Sequence, residues 1–166
     1  MAATIPAAPK RDLFEPEHDD YRESFRRFLQ AEVVPHYPEW EAAQLVPREL
    51  FTKCAEHGFL AIEVPEELGG NDVSDWRFNV VLNEESVRAG VGDAMAGPLL
   101  HSDVVLPYLM NSADDEQRAR WLPDVAAGEK ILAIAMTEPG TGSDLAGIKT
   151  SAKPAPRRNG VVRRRG

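Results

Sequence analysis

The sequence predicts a mainly α protein, a helical bundle that runs into a short β region, and three observations carry this reading. Apolar residues recur at helical spacing through most of the first 128 positions. Prolines and glycines fall where helices of ordinary length would start and stop. After Gly128 the period changes, and Lys130–Met136 reads as a short continuous apolar run. At 166 residues the chain can bury about two-thirds of its unfolded surface, enough for one sizeable core.

The first helix is predicted over residues 16–34, where Tyr21, Phe25, Phe28 and Leu29 form one stripe. Pro16 suits its first turn, Glu17, Asp19 and Asp20 complement the positive end of the helix dipole, and Pro35 stops it. A second helix over 47–58 should bury Leu50, Phe51 and Cys54, with Gly58 as its left-handed terminator. Residues 62–75 contain Pro65, Gly69 and Gly70 and read as a loop. A third helix over 75–89 turns Phe78, Val81, Leu82 and Val87 inward and leaves Glu84, Glu85 and Arg88 as surface charge; Gly90 ends it. Between Ala94 and Met110 a longer apolar helix carries Leu99, Leu100, Val104, Val105 and Leu109 into deep burial, interrupted near Pro98 and Pro107. Ser112, with Asp115 three residues on, reads as the cap of a last helix through Trp121 and Leu122. Two strands follow, over 130–136 and 148–152.

Composition excludes several classes of function. Hydrophobic residues make up 43% and charged residues 28%, as in an ordinary globular protein. A net charge of −8 speaks against a general nucleic-acid binder, which needs a basic face for phosphates. Residues 153–166 hold six Lys or Arg and no acid, so residues 1–152 carry −14 and the tail belongs to another compositional class. No apolar run approaches the roughly 20 residues that a membrane span requires. Cys54, the sole cysteine, rules out an internal disulfide and a multi-thiolate metal site, and it fits a reducing, cytoplasmic setting. The four histidines, His18, His36, His57 and His101, never take a metal-binding helical spacing, so no metal is expected. His101 reads as a hydrogen-bonded core histidine. Residues 1–10 lack a secretory pattern and read as a flexible leader.

The most informative stretch is Ala133–Asp144, an apolar run ending in a small, polar, glycine-rich bend. Gly140 and Gly142 have no Cβ to obstruct an approaching group, Pro139 stiffens the turn, and Thr137 and Ser143 set hydroxyls beside backbone N–H donors. Such a bend suits an electron-rich or anionic ligand; an ordinary strand-to-loop turn remains the alternative. The dinucleotide fingerprint is not met, because Gly147 falls too far after Gly142. A phosphate-binding P-loop is nearly matched, but Ile148 intrudes between Gly147 and Lys149 and rotates the lysine by about 100°.

Met136-Thr-Glu-Pro-Gly-Thr-Gly-Ser-Asp-Leu-Ala-Gly-Ile-Lys-Thr150 closely resembles the flavin-contacting segment of the acyl-CoA dehydrogenase family, its long-chain members above all. Upstream, residues 17–29, Glu32-Val-Val-Pro-His36, Trp40-Glu41, Gly58-Phe-Leu60, Glu67-Leu-Gly-Gly70 and Asp115-Glu-Gln-Arg118 resemble the family's N-terminal helical domain in matching order. The likeness implies a helical domain over 11–128, the start of a flavin-contacting β domain over 129–153, and a flavoprotein oxidoreductase. Its reaction would be FAD-dependent dehydrogenation of the Cα–Cβ bond of fatty acyl-CoA thioesters, in fatty acid β-oxidation or related lipid metabolism. Electrons would pass to an electron-transferring flavoprotein, and the intact family usually assembles as a homotetramer. By family position Ile134, Ala135, Met136, Thr137, Glu138, Pro139, Gly140, Thr141, Gly142 and Ser143 would bind the cofactor, and Ser143 also the substrate's thioester arm. Glu138 does not match the family's catalytic glutamate, which belongs to a C-terminal helical domain, so no catalytic residue is expected within 1–166. The basic segment 154–166 lacks the apolar alternation of the family's next strands and reads as a disordered, out-of-frame tail or a premature end, leaving the chain inactive by itself, with a natural disordered tail as the alternative. Two other readings stay open: a non-catalytic helical module docking on a full-length relative, and a P-loop-like nucleotide binder.

Overall fold

The computed structural model describes residues 12–152. They divide between Ala133 and Ile134 into two compact units. The leader and the basic tail lie outside the described residues.

The first unit is helical throughout. Helix α1 spans Pro16–Phe28 and continues as a π-helical turn over Leu29–Val33. α2 spans Tyr37–Ala43, α3 Glu49–Glu56, α4 Arg77–Arg88 and α5 Gly92–Leu99. A second π-helical turn, Leu100–Val105, joins α5 to α6, Leu106–Ser112, and α7 covers Asp115–Ala126. Each π turn ends two residues before a proline, Pro35 or Pro107. Because proline cannot donate to the carbonyl four residues back, the wider turn shifts the hydrogen bonding ahead of it, as in the 2.8 Å bond from Val34 N–H to the Leu29 carbonyl.

Phe25, Leu29, Leu50, Cys54, Leu82 and Leu122 are buried together, as the helical spacing anticipates, and Met95 and Leu106 join them in the same core. Each fully buried Leu or Phe contributes about 1.5–3 kcal/mol relative to exposure. Phe25 meets the edge of Phe59 at 4.9 Å, and Tyr21 stands perpendicular to Phe78 at 5.0 Å, so α1, α4 and the turn after α3 lock through aromatic contacts. The 62–73 loop folds back on itself, with Asp72 N–H bonded to the Val64 carbonyl at 2.9 Å and Val73 N–H to that of Ile62 at 3.0 Å. Gly70 lies so close that a Cβ there would fall 2.0 Å from the Val64 oxygen, which is why the second glycine of the pair is needed.

Five expectations are corrected. α2 is not foreseen by the sequence reading; it is seven residues long and buries no residue fully, but Tyr37 and Trp40 lie against the core. The cap of α7 is Asp114, not Ser112. Its carboxylate accepts from Gln117 N–H at 2.8 Å, while Oε1 of the Gln117 side chain accepts from Asp114 N–H at 3.0 Å, a reciprocal pair that the shorter Asp115 side chain cannot make. On the helix before it, Leu100 and Val104 are exposed rather than deeply buried. Val87 faces outward, and Glu85 takes its place inside with 1% exposure.

The fifth correction concerns the β region: among the described residues there is no strand, only an isolated bridge between Glu138 and Thr141. A strand exists through ladder bonds to a neighbour, and here two donors of each segment are committed elsewhere. Lys130 N–H bonds the Asp124 carbonyl at 2.9 Å, and Leu132 N–H bonds Nδ1 of His101 at 3.1 Å. In the 148–152 segment the N–H groups of Lys149 and Thr150 both go to the Glu138 carboxylate.

Candidate functional site

The second unit, from Ile134 onward, holds every residue the sequence singles out for ligand contact. Residues 134–137 have no regular secondary structure, and the chain reverses at Glu138–Thr141, where Glu138 N–H donates to the Thr141 carbonyl at 2.9 Å and Thr141 N–H returns a bond to the Glu138 carbonyl at 3.1 Å. A 3-10 turn, Leu145–Gly147, brings the chain back, and the Thr141 hydroxyl donates to the Gly147 carbonyl at 3.1 Å. The Glu138 carboxylate then accepts from Lys149 N–H at 2.9 Å, from Thr150 N–H at 2.8 Å and from the Thr150 hydroxyl. Residues 138–150 are thereby a loop closed by its own polar groups.

What the loop leaves outward is more telling than what it uses. Ile134, Glu138 and Thr141 are partly buried, whereas Ala135, Met136, Thr137, Pro139, Gly140, Gly142 and Ser143 are exposed. A Cβ built on Gly140 or Gly142 meets nothing within 4 Å. Neither glycine adopts the left-handed backbone that would demand its type, so the protein's own packing among the described residues gives no reason for them. Their N–H groups and that of Ser143 take no part in the loop's own bonds among the described residues. The face can therefore offer N–H and hydroxyl donors to a planar, electron-rich group at close range.

The P-loop reading fails on geometry. Among the described residues no α-helix follows the glycines, only the three-residue 3-10 turn, and Lys149 lies outside any helix with its N–H tied to Glu138. That motif needs its lysine on the first turn of a helix.

Within the helical unit, Cys54 is free and buried, and burial pushes its thiol up to about 12, which removes it as a nucleophile at neutral pH. His101 is fully buried, bonded to Leu132 N–H, and burial lowers its pKa to about 4, so it is the neutral core histidine expected. Glu15, Glu17 and His18 bring ligand-type atoms within 4.8 Å of one another. The His18 ring is already engaged, Nδ1 accepting from Glu15 N–H at 3.1 Å and Nε2 facing the Asp75 carboxylate at 3.3 Å. Sequence reasoning missed the ion cluster around Glu85, whose carboxylate meets Arg22 at 2.6 Å, Arg26 at 2.5 Å and Arg88 at 3.4 Å. Burial pushes Glu85 up, and the hydrogen bonds from Arg26 and Arg22 outweigh it, so its pKa lies below the ordinary glutamate value. The only sequence signal was its place on α4 between Leu82 and Ser86, both buried.

Residues 15–129 match the family model described as the acyl-CoA dehydrogenase N-terminal domain. The chain belongs to the acyl-CoA dehydrogenase family. Among curated relatives, the mitochondrial long-chain specific acyl-CoA dehydrogenase of Sus scrofa is 44% identical over 143 residues, covering 86% of this chain and 33% of the relative. An acyl-CoA dehydrogenase crystal structure from Geobacillus kaustophilus superposes with a TM-score of 0.78 at 44% identity, over 84% of this chain and 36% of the other. An acyl-CoA dehydrogenase from Bacillus anthracis complexed with FAD gives a TM-score of 0.70 at 29% identity, over 85% of this chain and 24% of the other. The chain thus spans about a third of the length of the curated long-chain relatives it matches. The mainly α acyl-CoA dehydrogenase fold expected from the sequence is the one observed. No helix among the described residues is long and apolar enough to cross a membrane.

Proposed function

We propose that this chain contributes the helical N-terminal domain, residues 11–128, and one wall of the flavin site, within 129–153, to an FAD-dependent dehydrogenase of fatty acyl-CoA thioesters. The observation that carries the reading is the outward face of the 138–150 loop, where open glycines and uncommitted donors adjoin Thr137 and Ser143. The fit to a flavin rests on chemistry: a flat, electron-rich ring system needs backbone without Cβ atoms and N–H donors at its edge, and both are present. The relative crystallised with FAD adds support at family level. When bound, the flavin supplies the oxidant that takes up the two electrons removed from the Cα–Cβ bond.

The chain's own residues position and polarise. Ile134, Ala135, Met136, Thr137 and the backbone from Glu138 to Gly142 lie along the ring, and one preorganised donor of this kind contributes about 3 kcal/mol where negative charge develops. Ser143 holds the thioester arm of the substrate. Glu138 is spent on loop closure and is not the proton-abstracting base; no residue of 1–166 is assigned that role. An electron-transferring flavoprotein is the proposed acceptor and a homotetramer the proposed assembly. The free, buried thiol of Cys54 suits a reducing compartment such as the cytoplasm.

The test is to titrate the purified chain with FAD by fluorescence quenching and then add a long-chain acyl-CoA while following flavin absorbance. Weak saturable binding without bleaching is the expected outcome. Absence of saturable binding removes the cofactor assignment, and robust bleaching removes the statement that the base lies outside this chain.

A second reading, a helical module that docks on a full-length relative, is favoured by one feature. Leu100, Val104 and Tyr108 stand exposed at four-residue spacing along the second π turn and α6. Co-purification of the two chains, lost on Val104→Asp, would support it.

A further inference from the structure

We propose that Glu138 is the positioning residue of the flavin-facing loop: its carboxylate fixes the loop's shape from behind so that Thr137 and residues 140–143 are held for the ligand. This rests on the functional reading above and adds a role for a side chain that the reading leaves without one. The geometry is specific. One carboxylate takes two backbone N–H groups, of Lys149 and Thr150, and the Thr150 hydroxyl, so it joins points eleven and twelve residues apart. Two further ties act in the same direction, the Glu138–Thr141 bridge and the bond from the Thr141 hydroxyl to the Gly147 carbonyl.

Glycine-containing loops lose much conformational entropy on ordering, and a ligand that must order its own site binds weakly for that reason. A charge-assisted clip made before the ligand arrives removes part of that cost, and bonds from N–H or O–H donors to an ionised carboxylate are the strong kind. The arrangement also explains why a carboxylate sits in a loop proposed to face an electron-rich ring. Its oxygens accept from residues 149 and 150, and its negative charge is shared with these donors.

The position of the carboxylate sets the consequences of substitution. Glu138→Ala removes the bonds to Lys149 N–H, Thr150 N–H and the Thr150 hydroxyl. Glu138→Gln keeps one acceptor oxygen but turns an NH2 group toward N–H donors, so it should restore part of the effect only. Thr150→Val removes the hydroxyl bond alone and is mild enough to leave folding untouched.

The experiment uses the full chain and reads two quantities on each variant: amide hydrogen exchange at Lys149 and Thr150, and FAD affinity by fluorescence titration. Exchange protection of α1 serves as the folding control. In Glu138→Ala, exchange at both amides should rise at least about tenfold and FAD affinity fall at least about tenfold. Glu138→Gln and Thr150→Val should fall between this variant and the wild type, and α1 protection should stay unchanged. Exchange at Lys149 and Thr150 that is the same in wild type and Glu138→Ala overturns the clip. Lost protection with unaltered FAD affinity overturns its positioning role while leaving the flavin site standing. A wild-type chain that binds no FAD overturns the functional reading and the positioning role with it.

Discussion

Replacing Glu85 with alanine is the sharpest test of how the helical unit is held together. The side chain is 1% exposed and receives Arg22 at 2.6 Å and Arg26 at 2.5 Å, with Arg88 at 3.4 Å. Removing one partner of a buried ion pair costs about 3–5 kcal/mol, because the charges left behind have lost their solvation and gained nothing. Two facts place Glu85→Ala at the lower end. Arg22 keeps Glu84 at 3.0 Å, and the Arg26 side chain is 43% exposed, so water takes over part of the lost interaction. A loss of about 3 kcal/mol, and a melting point lower by roughly 6–12 °C, is the expected outcome for a chain of this size. Urea unfolding followed by far-ultraviolet circular dichroism measures it, with the midpoint falling and the slope unchanged. A loss under about 1 kcal/mol, the range of an exposed pair, would refute the reasoning. The pH dependence has a definite sign. With its folded pKa held below the unfolded value, Glu85 contributes stability that is fully present above the unfolded value and lost as pH falls through the folded one. Glu85→Ala should therefore flatten the acid limb of a stability–pH curve.

Three further outcomes are expected. His101, with a folded pKa of about 4 against an ordinary value near 6.5, contributes stability above pH 6.5 that is lost as pH falls toward 4, up to about 3 kcal/mol; His101→Leu should remove that dependence in melting curves across the interval. Gly128→Ala should cost at least about 1–2 kcal/mol in urea unfolding, because the residue has φ +72° and a Cβ would fall 2.5 Å from the Phe51 oxygen. Asp114→Ala should cost about 1 kcal/mol of stability and Ser112→Ala less than about 0.5, which separates the observed cap of α7 from the one the sequence suggests.

Much of the candidate site was legible before any coordinates. A strand-like run ending in Pro139, Gly140 and Gly142 beside Thr137 and Ser143 announces a bend built for close approach, and the bend is there with both glycines facing open space. The bonding of the Glu138 carboxylate to Lys149 and Thr150 was not legible, because nothing in the local pattern joins positions eleven and twelve residues apart. The strand expectation failed at the same place: Glu138 holds the N–H groups of Lys149 and Thr150, which a ladder through residues 148–152 would have used.

The sequence alone determined where the helices other than α2 lie, their main stops and the buried stripe of α1. The 3.6-residue period, the fixed φ of proline and the freedom of glycine all act within a turn or two of the chain. Only tertiary structure decided that Glu85 is inside and Val87 outside, that His18 is enclosed, and that His101 takes the Leu132 N–H which a strand would have needed. Glu85 meets Arg22 and Arg26 from 63 and 59 residues away, and whether a carboxylate can be buried depends on whether the fold brings its cations to it. Periodicity records which face of a helix is apolar; it carries no information about which distant charge will arrive to neutralise an exception.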